Sequence, residues 1–149
     1  MALLETARLK LPLLATGQAH KELFHNEALA LIDHLIHPAA QAIETDPTAL
    51  IPVSGQSWII GSGATDEWLG HDDEIAGWTG NGWLFVTPLA LERVYIVSLD
   101  TFAVFRNGWQ LAPAIDSPAA GAVIDVEARS VIDSILAALE AQGILKSGP

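Results

Sequence analysis

Cysteine is absent from the 149 residues, and its absence removes several kinds of chemistry. A chain without cysteine forms no disulfide, carries no thiolate nucleophile and offers no cysteine ligand to a zinc ion. The same absence fits synthesis in a reducing cytoplasm.

Basic residues are also scarce in this sequence. Seven Lys and Arg residues stand against 18 Asp and Glu residues, the formal net charge is −11, and no Lys or Arg lies between Lys21 and Arg93. A surface of this sign repels phosphate backbones and anionic membranes. We therefore expect no nucleic-acid partner, whereas a basic protein partner or a cation would be attracted.

Long apolar runs are also missing. No run reaches the roughly 18 residues that a membrane span requires, and the first residues lack the basic and apolar segments of a signal peptide. We therefore expect no membrane insertion. Hydrophobic residues nevertheless make up 50% of the chain, which argues against wholesale disorder. The length predicts one domain with appended helices.

The centre of the chain carries two copies of one turn signal, Asn81-Gly82-Trp83 and Asn107-Gly108-Trp109. Asn-Gly favours a two-residue type I′ hairpin because both central residues of that turn need positive φ. The flanking stretches 83–86, 94–97 and 102–105 are rich in β-branched and aromatic residues. The pattern predicts a small antiparallel β-meander, with each tryptophan directly after a turn.

A helix is predicted before the meander, over residues 18–36. Its apolar positions follow helical spacing, and His37-Pro38 ends it because a residue before proline avoids the α region. Asn26 is alternatively the cap of a second helix after a break near His25, and the sequence leaves one helix or two open. The apolar stripe consists of Phe24, Ala28, Leu31 and Leu35, widened by Leu29, Ile32 and Ile36.

A second helix is predicted at the end of the chain. Asp125 is typical of an N-cap, Gly143 of a C′ residue, and Ile144 of the C″ residue in a Schellman motif. Its broad apolar stripe either covers the β module or packs against copies of itself, and the candidate oligomerisation residues are Val131, Ile135 and Leu139.

The predicted fold class is therefore α+β, with an N-terminal helix, a small antiparallel meander with Asn-Gly hairpins and a C-terminal helix. We divide the chain into an N-terminal arm (1–16), a helical segment (17–37), an antiparallel β module (38–112), a linker (113–124) and a C-terminal helix with its tail (125–149).

One loop of the predicted β module is acidic. Its side chains suit a solvated loop, a hard-cation site or a partner contact, but they match no EF-hand. Two of its carboxylates would serve a glycosidase only at a defined separation across a cleft. We single out Trp68, His71 and Asp72 as candidate ligand or interface contacts. The acidic or titratable members are Asp66, Glu67, His71, Asp72, Asp73 and Glu74.

Other chemical signals are weak. His34 and His37 are three residues apart and share a helix face, but zinc would need further ligands, so surface or interface histidines are the simpler interpretation. No phosphate-binding loop, dinucleotide-binding pattern or nucleophile elbow is present. We therefore expect no enzyme and no cofactor. The sequence leaves three roles open for the tryptophan side chains: packing in the core, contact at a protein interface, and stacking on a sugar. The five tryptophans are Trp58, Trp68, Trp78, Trp83 and Trp109.

Several motifs together resemble an uncharacterised domain family of alphaproteobacterial prophages and gene transfer agents. The resemblance spans about residues 9 to 145 and departs from the family pattern at His20 and Asp66. The motifs that carry it are Gly17-Gln18-Ala19-His20-Lys21-Glu22, His25-Asn26-Glu27-Ala28-Leu29, Gly61-Ser62-Gly63-Ala64-Thr65, Trp68-Leu69-Gly70-His71-Asp72, Glu74-Ile75-Ala76-Gly77-Trp78, Gly82-Trp83, Glu127-Ala128-Arg129, Ile135-Leu136-Ala137-Ala138-Leu139 and Gly143-Ile144-Leu145.

The resemblance implies a structural virion protein, made in the bacterial cytoplasm and located in a phage-like particle. The short chain favours a head-spike base or fibre adaptor that takes part in host attachment. Expected partners are further copies of the chain, capsid or other virion proteins, and a receptor-binding fibre protein. The alternative is a carbohydrate-binding module that recognises a bacterial surface glycan through Trp68. The resemblance supplies no catalytic or metal residues.

Overall fold

The computed structural model describes residues 4–15, 17, 21–117 and 125–145. Two helices flank eight short strands, which form two sheets of four strands each, so the predicted α+β class is confirmed. None of the helices in these ranges is long and apolar enough to cross a membrane. The elements are α1 (Lys21–Leu35), β1 (Ala39–Ala40), β2 (Ile43–Glu44), β3 (Ser57–Ile60), β4 (Ile75–Trp78), β5 (Trp83–Val86), β6 (Arg93–Ile96), β7 (Thr101–Phe105), β8 (Trp109–Leu111) and α2 (Val126–Ala141).

The strands of the predicted meander pair in antiparallel hairpins, but they are divided between two mixed sheets and do not form one continuous meander. One sheet has the order β1-β6-β7-β8 and the other β2-β3-β4-β5, so β5 does not pair with β6. Between them lie Pro88, which has no N–H for a continuing ladder, and Leu91, which has a φ of 68°. The strands β1 and β2 pair in parallel with β6 and β3, so residues 39–44 pass from one sheet to the other and connect them.

Both predicted hairpins form, but neither has the predicted two-residue turn. Asn107 and Gly108 have the predicted positive φ values, 57° and 114°, but Phe105 pairs with Trp109, so this loop has three residues. In the other hairpin Trp78 pairs with Trp83, so the loop has four residues and the positive φ falls on Gly80 at 93°. The Asn81-Gly82 pair is thus not a type I′ turn. The two tryptophans that follow the turns begin β5 and β8, as predicted.

The strand β3 separates two hydrophobic clusters. Its four residues are all buried, and its side chains alternate between the two faces of the sheet. Ile59 joins a cluster shared by both sheets, with Ala40, Ile75, Val94, Ile96 and Ala103. Trp58 and Ile60 join the second cluster, with Ala64, Trp68 and Ala76.

The first helix is a single helix, and it turns its polar side inward. Its buried residues are Asp33 and His34, whereas Phe24 of the predicted apolar stripe is 73% exposed. Asn26 caps no second helix; its amide side chain donates to the Leu14 carbonyl at 3.0 Å and accepts from the Leu14 N–H at 2.9 Å. Polar contacts therefore orient α1, and of its apolar stripe Leu35 packs against the cluster shared by both sheets.

Asp33 is the centre of those contacts. Its carboxylate accepts hydrogen bonds from the Thr6 hydroxyl at 2.8 Å, from the Arg8 N–H at 2.8 Å and from the Leu9 N–H at 2.5 Å. Burial acts to raise the pKa of Asp33, but these hydrogen bonds outweigh it and lower the pKa below its usual value. The N-terminal arm is thereby fixed to the helix.

Arg8 secures the same junction from the other side. Its guanidinium donates to the main-chain carbonyls of Asp33 at 2.6 Å, His34 at 2.9 Å and His37 at 2.7 Å. These carbonyls belong to the last turn of α1 and the residues just after it, where the helix leaves acceptors unpaired. The Arg8 side chain of the arm therefore caps the C-terminal end of α1.

His34 fastens α1 to the second sheet. Its Nδ1 lies 2.9 Å from the Ser57 hydroxyl oxygen, and its ring lies over Gly77 of β4. A Cβ at position 77 would approach the ring to 2.8 Å, so glycine is required for this close contact. His34 as a whole is 5% exposed.

The second helix has the predicted ends. Asp125 accepts a hydrogen bond from the Ala128 N–H at 2.8 Å, as an N-cap does. Gly143 has a φ of 63°, its N–H donates to Glu140 at 2.8 Å, and the Ile144 N–H donates to Leu139 at 2.9 Å, which completes a Schellman motif. Residues 118–124 of the predicted linker lie outside the described ranges.

We predict that Asp33→Ala lowers the free energy of unfolding by about 2–4 kcal/mol, because it leaves three donors without an acceptor. Urea denaturation of the variant and the wild type at neutral pH measures the loss. Asp116→Ala, at an exposed position, is the matched control and should change stability by less than about 0.5 kcal/mol. Equal stability of Asp33→Ala and wild type would contradict the stabilising role assigned to the hydrogen bonds of Asp33.

We also predict an acid-sensitive contribution from His34. Burial first, and the nearby Arg8 charge second, lower the pKa of His34 below its usual value, against the opposing effect of Asp33. The unfolded chain therefore binds the proton more tightly, so this contribution is complete above about pH 6.5 and is lost as the pH falls below it. Urea unfolding between about pH 7.5 and 5.5 should show a smaller loss for His34→Gln than for wild type. Identical pH profiles would exclude the effect.

Candidate functional site

The acidic loop between β3 and β4 is closed by its own side chains. The Asp72 carboxylate accepts hydrogen bonds from the N–H groups of Gly63 and Ala64, each at 2.9 Å, and these bonds lower the pKa of Asp72. His71 stacks on Phe85 with the ring centroids 3.7 Å apart. Asp72 therefore has a local structural role in this loop.

Glu74 connects the same loop to the neighbouring strand. Its carboxylate lies 2.7 Å from His71 Nδ1 and also accepts a hydrogen bond from the Thr87 hydroxyl at 2.7 Å. Across the described ranges, no group of three or more His, Asp or Glu side chains is arranged to hold a metal ion. His34 and His37 differ in environment, since the first is buried and the second is exposed.

Trp68 requires a correction. We expected its ring to face a ligand or neighbour, but it is fully buried in the second hydrophobic cluster. A short 3-10 turn, Asp66–Trp68, directs the ring under the loop, where it meets Trp83 edge to face at 5.1 Å. Its burial leaves no face for stacking on a sugar.

Trp83 lies at the centre of a tryptophan cluster. Its ring also contacts Trp58 at 5.6 Å and Trp78 at 4.9 Å, in both cases edge to face. Such pairs add about 0.5–1.5 kcal/mol each beyond the area they bury. The cluster extends from the buried Trp58 and Trp68 to the half-buried Trp78 and Trp83.

An aromatic pocket opens where this cluster reaches the surface. It has a volume of about 470 Å³ and is bordered by Trp78, Trp83, Asp66 and Glu67. The Trp83 indole N–H donates to the Glu67 carboxylate at 2.8 Å, which orients both side chains. Apolar walls with a few fixed polar groups are typical of small-molecule sites.

A larger cleft of about 800 Å³ runs between α1, the N-terminal arm and the end of β4. Trp78 borders this cleft as well as the aromatic pocket. Asn26, Asp33 and His34 line the cleft, but each is already hydrogen-bonded within the chain. The cleft thus marks the polar seam between the helix and the sheets.

The second helix leaves most of its surface uncovered. None of its residues is buried; Val131 is 58% exposed, Ile135 is 53% exposed and Leu139 is half-buried. The contact of the chain end with the body lies at Gly143, whose carbonyl accepts from the Phe102 N–H and the Thr101 hydroxyl, each at 3.2 Å. The three candidate oligomerisation residues are therefore free of the described core.

The architecture defines a class: a small α+β domain with two mixed sheets and two helices that each expose several large apolar side chains. The sequence profile of a family described as a protein of unknown function (DUF2793) matches residues 25–110. The match includes more than half of the chain, from α1 to β8, so the chain belongs to this family. Neither the search of curated proteins nor the search of solved structures gave a match.

The role of the α2 residues stays a prediction, and sequence reasoning missed the aromatic pocket. Trp78 pairs with Trp83 because the loop has four residues, whereas the predicted two-residue turn would pair Gly80 with Trp83. Residues that pair across a hairpin project on the same face of the sheet. Glu67 comes from a separate loop, so its contact with Trp83 had no signal in the sequence.

Proposed function

We propose that this protein is a structural component of a phage-like particle or gene transfer agent, a head-spike base or fibre adaptor that links the particle to a host-recognition fibre. The observation that carries the proposal is the uncovered apolar face of α2. The resemblance of the sequence motifs to prophage and gene-transfer-agent proteins supports the same assignment. The protein is then made in the bacterial cytoplasm and resides in the virion.

The physical argument begins with the helix itself. Isolated helices of about this length are marginal in water, and most helices gain their stability from a packed apolar face. Val131 and Ile135 lie on one face at a spacing of four residues, followed by Leu139. Burial of each such side chain contributes about 1.5–3 kcal/mol. Sister subunits that pack their α2 helices together would supply that burial.

Assembly of this kind suits an adaptor. Closed rings of identical subunits repeat one contact by symmetry, and several repeated contacts attach a component firmly without any single strong site. A capsid or other virion protein would bind one side of the assembly and a receptor-binding fibre protein the other. The acidic surface, with its net charge of −11, favours basic patches on these partners.

We predict that the wild type is oligomeric in solution and that Val131→Glu with Ile135→Glu lowers its mass toward the 15.8 kDa of one chain. Charged side chains at a packed apolar contact are costly because they lose their hydration. Light scattering on purified protein measures the mass.

Ser130→Glu with Ala137→Glu is the matched control, because it adds the same charge on the opposite side of α2 and should leave the mass unchanged. If Val131→Glu with Ile135→Glu kept the wild-type mass, assembly through this face would be excluded.

A second candidate function is a carbohydrate-binding module for a bacterial surface glycan. The aromatic pocket favours it, since the indole rings of Trp78 and Trp83 form an apolar wall beside the Asp66 and Glu67 carboxylates. Carboxylate oxygens accept hydrogen bonds from sugar hydroxyls, and the pocket volume lies within the range of small-molecule sites. Trp68, which is buried, has no part in this version of the hypothesis.

For this candidate, a glycan array should show binding by wild type and its loss in Trp78→Ala, because the substitution removes one wall of the pocket. Leu69→Ala is the control, since Leu69 is 75% exposed on the adjoining loop and does not border the pocket. Near-ultraviolet circular dichroism verifies that Trp78→Ala is folded. An array on which wild type binds no glycan would remove the second candidate.

A further inference from the structure

The aromatic pocket lies in a part of the chain that has no basic residue. Residues 39–86, from β1 to the end of β5, contain seven Asp and Glu residues and no Lys or Arg, and every residue that borders the pocket belongs to this segment. Charges of one sign concentrate ligands of the opposite sign at a cleft and repel ligands of the same sign. The pocket is therefore suited to a cation. The seven acidic residues are Glu44, Asp46, Asp66, Glu67, Asp72, Asp73 and Glu74.

The Asp66 carboxylate is free to meet such a ligand. Asp66 is exposed at the border of the pocket, and among the described residues its carboxylate accepts no hydrogen bond and forms no ion pair. Glu67 beside it is held in place, because its carboxylate accepts from the Trp83 indole N–H at 2.8 Å. The border of the pocket thus offers one acceptor without a partner next to one that is already oriented.

The tryptophan rings provide a second feature that favours a cation. Trp78 and Trp83 both border the pocket, with their ring centroids 4.9 Å apart and their planes inclined by 64°. The face of an indole ring carries partial negative charge, so it attracts an ammonium group more strongly than the other aromatic side chains do. Pro47, Leu50 and Pro52 extend the apolar part of the border. The pocket therefore combines an apolar, electron-rich wall with carboxylate acceptors.

We propose that the aromatic pocket binds an amino sugar, a glycan unit whose primary amine is protonated. The sugar ring lies against the indole rings, and its ammonium group donates to the carboxylates of Asp66 and Glu67. A primary ammonium group has three N–H donors, whereas a quaternary ammonium group has none for these acceptors. A lysine side chain carries the same group on a thin aliphatic stem, which leaves most of a pocket of about 470 Å³ unfilled. An anionic sugar is repelled by the local charge.

This proposal rests on the second candidate function, which uses the same pocket, and it is independent of assembly through α2. The test compares glucosamine, N-acetylglucosamine and glucose at about pH 6, where amines are protonated and carboxyl groups are ionised. Two-dimensional proton–nitrogen NMR of the full-length protein follows the indole N–H signals of the five tryptophans, assigned by single substitutions of tryptophan by phenylalanine. Glucosamine should shift the signals of Trp78 and Trp83. The Trp109 signal should stay in place, because its N–H donates to the Asp73 carbonyl and its ring does not border the pocket.

Asp66→Asn separates charge from shape, because it removes the negative charge and keeps the size of the side chain. Asparagine also tolerates the left-handed backbone at this position, where φ is 51°. We expect wild type to bind glucosamine about tenfold more tightly than either neutral sugar, and Asp66→Asn to lose about that factor for glucosamine alone, since a hydrogen bond between charged groups is lost. Asp116→Asn is the matched control. It removes the same charge at an exposed position that does not border the pocket, and should bind glucosamine like wild type.

The outcomes separate this inference from the functions proposed above. If neutral glycans on the array bind wild type but not Trp78→Ala, while glucosamine shifts neither indole signal, the carbohydrate-binding candidate stands and the amino sugar is overturned. Equal affinities for glucosamine and glucose would overturn the choice of a cation. So would equal losses in Asp66→Asn and Asp116→Asn, because they would indicate general attraction to an acidic chain.

A peptide source of the ammonium group is tested with Nα-acetyl-lysine amide. If this compound shifted the signals of Trp78 and Trp83 as strongly as glucosamine does, the sugar would be overturned and a basic protein segment would be the ligand. If glucosamine shifts both signals in wild type and in Asp116→Asn but about tenfold less tightly in Asp66→Asn, the amino-sugar site stands whatever the mass of the α2 variants. Circular dichroism verifies that each variant is folded.

Discussion

The buried carboxylate of Asp33 determines how the first helix sits on the rest of the molecule. A carboxylate that accepts three hydrogen bonds away from solvent holds its donors in fixed positions, and here the donors belong to the N-terminal arm. The arm in turn carries Arg8, which binds the carbonyls at the end of the same helix. Because these contacts occupy one side of α1, most of the hydrophobic side stays outside the core, and only its end, at Leu35, packs against the shared cluster. A polar constraint thus decides which apolar surface the protein presents.

The two sheets depend on a different device. Residues 39–44 contribute one short parallel strand to each sheet, so the backbone itself joins them. The shared cluster around Ile59, Val94 and Ile96 then fills the space between them. A second cluster beneath the acidic loop lets β3 bury both of its faces, which is why a four-residue strand contains Trp, Ile and Ile in succession. The acidic loop is consequently a cover over hydrophobic residues and is closed by Asp72.

Local signals predicted local structure well. Asp125 and Gly143 act through hydrogen bonds and φ angles within a few residues, and each has the predicted conformation. The Asn107-Gly108 pair has the predicted positive φ values, but in a loop of three residues. Asn81-Gly82 differs because the loop is two residues longer than the turn assumed, a length set by the pairing of Trp78 with Trp83. Strand ends were predictable from composition, whereas the division into two sheets was not.

Predictions that depend on distant contacts were less successful. The spacing of Phe24, Ala28 and Leu31 is typical of a buried stripe. The partners of Asp33, however, lie about 25 residues earlier in the chain, and their hydrogen bonds turn the polar side of the helix inward. Trp68 was expected to face a ligand or neighbour because it lies in a loop. The 3-10 turn Asp66–Trp68 points the ring inward, and position in a loop does not determine that direction. The oligomerisation role of Val131, Ile135 and Leu139 on α2 stays a prediction.

Gly143 fixes the C-terminal end of α2 to the strand β7. This end is held against the sheet by the Thr101 and Phe102 donors, while the 16 residues before it extend over a length of about 24 Å. Because these bonds fix the helix to the sheet at this end, a small change in the direction of β7 would displace the Val126 end of α2 by a larger distance.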